Sequence, residues 1–230
     1  LILFRYLFLF LYCVSYPIWG AAIQVAPIRL FFHPNHQIET LKITNQGNAP
    51  VVIQLDIKSW QQDEKGDDIH AHTTDLFVMP ALFTVQAGQT QIVRVAILKK
   101  EKQPSLTEKA YRLMLREVPS STPEDAQATQ LSMAIQMLLP VFVGNQTSSP
   151  IQYTGTIGKK TNAHTAVKIN NTGSQHFLVT GITIFNTDNQ VIFEKNALFS
   201  YVLPGISKTI SLDTDINIPQ NAKIVLKTNS

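Results

Sequence analysis

From residue 23 onward the apolar residues of this chain fall on alternate positions in short runs, each closed by Asn, Gly, Pro, Asp or Ser. No long stripe at three- and four-residue spacing, the mark of an amphipathic helix, interrupts them. Alternation sends successive side chains to opposite faces, so a run buries its apolar face only by pairing and stacking with other runs. The chain is therefore read as all-β, with strands over 23–32, 38–44, 50–59, 91–98, 110–118 and 131–143, then 151–157, 164–170, 177–185, 190–195, 206–212 and 222–228. Short strands spaced this way suit sandwiches.

A repeat within the chain sets the domain count. LKITNQGNAPVVIQLDI at 41–57 resembles VKINNTGSQHFLVTGITI at 167–184, each a strand, an Asn-centred turn and a second strand. In both, the Asn (Asn45, Asn171) stands two residues before a Gly (Gly47, Gly173), a pair of residue types suited to tight turns. Further on, VQAGQTQIVRVAI (85–97) and LPGISKTISLD (203–213) each carry a Gly-containing corner before another strand. Two sandwiches in tandem are expected, residues 23–144 and 145–230, joined through the linker-like GNQTSSP at 144–150.

The opening segment, LILFRYLFLFLYCVSYPIWGAA, has one cation, Arg5, in an apolar run that closes on small residues. Residues 1–22 are read as a secretory signal peptide cleaved after Ala22, with Gly20 and Ala21 as neighbouring alternatives, and no membrane insertion is expected afterwards. The only cysteine, Cys13, lies in that segment, so the mature chain must hold together through its core without disulfides. A formal net charge of +3 spread without a basic block excludes a nucleic-acid footprint. No GxSxG, phosphate loop or HExxH occurs, and no cofactor is implied. Of the six His, His33 with His36 and His70 with His72 lack an ordered ligand pattern, so they read as polar loop residues and no metal is expected.

Residues 131–144, LSMAIQMLLPVFVG, place Leu131, Met133, Ile135 and Met137 on one strand face. Pattern alone leaves open whether that face fills the chain's own core or that of something else.

Taken in order, VAPIRLFF (25–32), LKITNQGNAPVVIQLDIKSW (41–60), FVMPALFTVQAGQTQIVRV (77–95), YRLMLREVP (111–119) and LSMAIQMLLPVFV (131–143) resemble the periplasmic chaperones of the chaperone–usher pathway. The resemblance covers the first domain; the second shares the family's length and sandwich pattern. The short stretch at about 119–130 and the LLPVFV ending look most like the class that assembles archaic, Csu-like pili. The resemblance implies two immunoglobulin-like sandwiches in an L- or boomerang-shaped arrangement, a non-enzymatic role in the periplasm, and as partners pilin or fimbrial subunits and an outer-membrane usher. It leaves open a self-capped dimer or oligomer of the free protein. Such chaperones lend a strand to a subunit that lacks one, a recognised mode of β-strand addition. Matched onto this chain the lent strand is 131–139, and Leu131, Met133, Ile135 and Met137 are the inserted residues.

Arg29 of VAPIRLFF matches the family's first-strand Arg, which anchors the subunit's C-terminal carboxylate; a solvated strand Arg is the alternative. The family's partner Lys is missing, since 138–142 read Leu-Leu-Pro-Val-Phe, so either Arg29 works alone or another strand supplies the second cation, Arg112 or Arg116 first and Arg94 as a further candidate. Arg94 resembles a structural Arg that pairs within the first domain, and Glu117 an acid of the interdomain ion pair whose Arg partner would fall near Gly144. Two other classes remain as alternatives: a secreted two-domain adhesin or structural pilus component, and a carbohydrate-active or metal-binding sandwich enzyme.

Overall fold

The structure is a computed structural model. It describes residues 23–33, 35–98, 106–119, 134–144, 150–161, 164–214 and 216–229. Residues 1–22, expected to be a signal peptide, and the expected donor residues Leu131 and Met133 lie outside the described residues.

All regular structure described is β. Ten strands form the first half: β1 Ile23–Ala26, β2 Leu30–Phe32, β3 Ile38–Asn45, β4 Val51–Gln62, β5 Asp68–His72, β6 Leu76–Met79, β7 Leu82–Val85, β8 Thr90–Ile97, β9 Lys109–Val118 and β10 Gln136–Val143. One sheet runs β1-β3-β8-β6, and the facing sheet runs β2-β10-β9-β4-β5 with β7 also paired to β4. The second half holds β11 Tyr153–Thr161, β12 His164–Asn171, β13 Phe177–Phe185, β14 Val191–Val202, β15 Ser207–Asp213 and β16 Lys223–Asn229. These make the sheets β11-β12-β15 and β14-β13-β16. Each half buries its own core, with Leu41, Ile43, Val93, Val95, Leu113 and Leu115 in the first and Val167, Ile169, Val179, Ile182 and Leu212 in the second. In β9 the alternation is plain: Tyr111, Leu113 and Leu115 point into the first core, while Arg112, Met114 and Arg116 take the other face.

The expected strand 23–32 is split. Pro27 lacks the amide needed to continue a ladder, β1 stops before it, and the chain crosses to the other sheet as β2. Ile28 and Arg29 therefore lie at the crossing. By contrast Pro140 sits inside β10 opposite Arg112.

The repeat is reproduced atom for atom. Asn45 donates through Nδ2 to the carbonyls of Ala49 (2.7 Å) and Val85 (3.0 Å) and accepts at Oδ1 from the Gly47 amide (2.9 Å). Asn171 does the same with Gln175 (2.8 Å), Val202 (3.0 Å) and Gly173 (2.9 Å). Their main-chain groups match as well: Asn45 bonds Gln89 and Gly88, and Asn171 bonds Ile206 and Gly205. Gly88 and Gly205 both have positive φ, 71° and 74°. Each Asn, fully buried, ties three segments of its sandwich together. Asn171→Ala is expected to cost about 2–3 kcal/mol, because buried carbonyls lose their donors, read as a lower urea midpoint; a loss below the error of that measurement would reduce the Asn to a turn preference.

Candidate functional site

The two edges of β10 are unequal. On one side β9 pairs with it along all of Gln136–Val143. On the other, β2 runs parallel to it and reaches only Val141–Val143. Along Gln136–Pro140 that second edge has no strand beside it among the described residues. The Glu117 amide bonds the Ile135 carbonyl at 2.9 Å and the Gly144 amide bonds the Phe32 carbonyl at 3.1 Å, which fixes the parity. Odd-numbered residues of β10 bond β9, and even-numbered ones turn their backbone groups to the other edge. Gln136 and Leu138 thus present both N–H and C=O there, and Pro140 only its C=O. Pro140 is tolerated because the amide it lacks would point away from β9. The result is about 17 Å of unpaired strand edge.

Side chains divide the same strand between two faces. Leu139 and Val141 are buried in the first core, whereas Ile135 and Met137 pack on its margin, half-buried. The apolar row thus leaves the buried core by way of Met137 and Ile135. On the opposite face Leu138 is 43% exposed, and Phe142 is buried against the second half.

Arg29 stands at the foot of the open edge. It immediately precedes Leu30, whose partner is Val141, and its guanidinium carbon lies 5.9 Å from the Phe31 ring centroid. Its Nη1 is buried and has no hydrogen-bond partner among the described residues. Across β10, Pro140 faces Arg112 on β9, and Arg112 faces Lys58 on β4. Basic side chains therefore line up across the sheet. The Arg112 guanidinium lies 3.5 Å from the Trp60 ring centroid and 5.5 Å from that of Tyr201, with Nη2 3.4 Å from Asp68 Oδ2. Burial lowers its pKa, with Asp68 pulling the other way, and an arginine stays charged regardless. Lys58 is held by Asp56 at 3.0 Å. Arg116 is exposed and faces Gln136, roughly 13 Å further along the strand.

The two halves meet on an aromatic junction. Trp60, Ala110 and Phe142 of the first half pack with Leu203 of the second, with Phe31, Tyr201 and Ile206 around them. Gln62 bridges the halves, donating to the Tyr201 carbonyl (3.0 Å) and accepting from the Leu203 amide (3.0 Å). Glu108 and His176, 3% and 2% exposed, meet at 2.6 Å, and the same carboxylate oxygen accepts the His176 amide at 3.1 Å. The imidazole stacks on Phe142 at 3.4 Å.

The acid at the junction is thus Glu108. Glu117 lies at the other end of β9, about 30 Å away at strand rise, and accepts the Ile135 amide at 3.2 Å. Where the resemblance would place an Arg, Gly144 lies so close to Glu108 that a Cβ would come within 3.1 Å of its backbone. Arg94 faces Thr40 and Met79 on an exposed side of β8, with no ion pair to a described residue. Sequence reasoning missed Glu108, His176, Gln62 and Tyr201, which carry no periodic or motif signal. His36 pairs with Glu39, and His70 and His72 are exposed on β5; among the described residues no cluster of three potential ligands could hold a metal.

Residues 22–146 match the family model of the PapD N-terminal domain, described as a pili and flagellar-assembly chaperone. Over 130 residues the chain is 26% identical to the chaperone protein FimB/FhaD of Bordetella pertussis, covering 55% of this chain and 52% of that protein. The match therefore spans about half of that relative. A chain of the CsuC–CsuE chaperone–tip adhesion subunit pre-assembly complex, from archaic chaperone-usher Csu pili of Acinetobacter baumannii, superposes with a TM-score of 0.68. That similarity extends over 91% of this chain and 97% of the other at 16% identity. The YadV chaperone superposes with a TM-score of 0.64 over 90% and 93% of the two chains at 12% identity. These likenesses bear on the fold, two immunoglobulin-like sandwiches.

Proposed function

The chain belongs to the family of pili and flagellar-assembly chaperones, and we propose that it captures a pilin subunit along the open edge of β10 and holds the subunit's C-terminal carboxylate at Arg29. One observation carries this reading: a strand edge unpaired among the described residues, ending beside a guanidinium nitrogen with no hydrogen-bond partner among them. A subunit strand laid on Gln136–Pro140 would continue the line of β2 and run parallel to β10. Its chain end then reaches Arg29, where a planar, permanently charged fork suits a carboxylate. The second cation is Arg112 and not Arg116, because Arg112 shares the row of Pro140 next to Arg29. Stacking on Trp60 fixes its plane in advance, which lowers the ordering cost of binding.

Affinity in this scheme is backbone pairing plus burial. Ile135 and Met137 have apolar surface left to bury, and Leu131 and Met133 extend the row into the subunit. A fully buried side chain of this size contributes roughly 1.5–3 kcal/mol. No covalent step is needed, so the subunit can be passed on. Residues 23–144 would be the donor domain and 145–230 the second domain. Periplasmic location and delivery to an outer-membrane usher follow from the family reading.

Leu138→Pro tests this against a role for β10 in the chain's own stability. By parity it deletes an outward amide and no bond to β9, as Pro140 already does. Capture of a co-expressed pilin subunit is expected to fall about tenfold, the cost of one unmade hydrogen bond. Leu138→Ala, which keeps the amide, should capture nearly normally. Equal capture by both variants would mean that the subunit does not pair with this edge.

A further inference from the structure

Among the exposed large apolar side chains described in the second sandwich, one is aromatic. Leu198 packs on the second core and Val202 is buried in it, while Tyr201 and Leu203 take the other face, against the first half. Phe199 shares the face of Tyr201 and Leu203, yet is 79% exposed. The local backbone is irregular. Val179 pairs with Ser200 and Gly181 with Asn196, so Ala197, Leu198 and Phe199 stand against Thr180 alone. Ala197 has φ 58°, a left-handed conformation that a Cβ disfavours. Exposure of a Phe and a strained bulge both oppose folding, which directs attention to a role in binding.

We propose that Phe199 is a specificity contact for the chain end bound in the junction, selecting a large apolar side chain within a residue or two of its C-terminal carboxylate. The inference rests on the reading of Arg29 as the carboxylate anchor. Phe199 stands two residues from Tyr201, about 7 Å along a strand. Tyr201 in turn lies 5.5 Å from the Arg112 guanidinium carbon, in the row of cations that ends at Arg29. A carboxylate held in that row therefore sets its neighbouring side chains within reach of Phe199. Opposite, the first half offers Met114, half-buried, on the same face of β9 as Arg112. The occupant is thus a chain end with a charged terminus and apolar flank, and not a polar tail.

The test uses the mature chain and two synthetic peptides of alternating Val and Thr with free carboxylates, ending in Leu-Leu or Ser-Ser, followed by fluorescence polarisation. Wild type is expected to prefer the Leu-Leu peptide. Phe199→Ser, at an exposed position that leaves the melting temperature unchanged, should weaken that peptide about five- to tenfold and leave the Ser-Ser peptide unaffected. Arg29→Ala should weaken both. Loss with Arg29→Ala but none with Phe199→Ser would overturn the role of Phe199 and keep the anchor. No loss with Arg29→Ala, or no binding of either peptide by wild type, would overturn the anchor reading and this inference together.

Discussion

Arg29→Ala is expected to abolish recovery of a co-expressed pilin subunit while leaving the chaperone folded. The expectation rests on an asymmetry in what this side chain does. In the free protein Nη1 is buried and makes no hydrogen bond to a described residue, so removing the guanidinium breaks little that holds the sandwich together. In the complex the same group is assigned the only full charge on the subunit's chain end. Truncating one member of a buried, hydrogen-bonded charge pair costs about 2–5 kcal/mol, much of it from the partner left unpaired. At about 1.4 kcal/mol per tenfold, the upper part of that range removes the complex from a pull-down. Arg29→Lys sharpens the test, since it keeps the charge and loses the fork; capture intermediate between wild type and Ala is expected. The measurements are subunit yield after co-expression and the melting temperature of each free variant. If Arg29→Ala purified with its usual complement of subunit, Arg29 would be an ordinary strand arginine.

The readable parts of this molecule were those fixed by local chemistry. Alternation gave the strands, and the paired Asn-x-Gly corners at Asn45 and Asn171 gave a repeat whose hydrogen bonds agree partner for partner. Arg29 became a candidate only through the resemblance of VAPIRLFF and its neighbours, since a lone strand arginine has no signature. What the alternation could not supply was pairing across distance. That β2 stops short of Gln136–Pro140, leaving one edge of β10 open, depends on where Pro27 sends the chain, and Pro27 by itself says only that a ladder ends. The short strands β5, β6 and β7 were missed because four or five residues, some of them wholly exposed as in DIHAH, show no apolar alternation. Glu108 was invisible for a different reason: a carboxylate that is 3% exposed looks in sequence like any loop Glu until a histidine from the other half is brought to it.

That pair is where the largest loss of stability is expected. His176 Nδ1 and Glu108 Oε1 meet at 2.6 Å inside the junction, and the carboxylate also takes the His176 amide. Glu108→Ala leaves an imidazole and a backbone N–H buried without an acceptor, which places its cost at about 3–5 kcal/mol. His176→Ala strands the carboxylate and also removes the ring stacked on Phe142, for a similar loss. The double variant should cost well under the sum, because the second substitution removes a group the first had already orphaned. Urea unfolding of the four proteins measures the coupling; additive costs would mean that the two side chains merely occupy space. The consequence reaches the open edge, because Phe142 belongs to β10 and stacks on Phe31, whose ring lies under Arg29. Even under conditions where Glu108→Ala remains folded, subunit capture should therefore fall, as the aromatic stack that seats the anchor loses its support from the second sandwich. Capture unchanged in a folded Glu108→Ala protein would show instead that the first sandwich holds Arg29 and the β10 edge by itself.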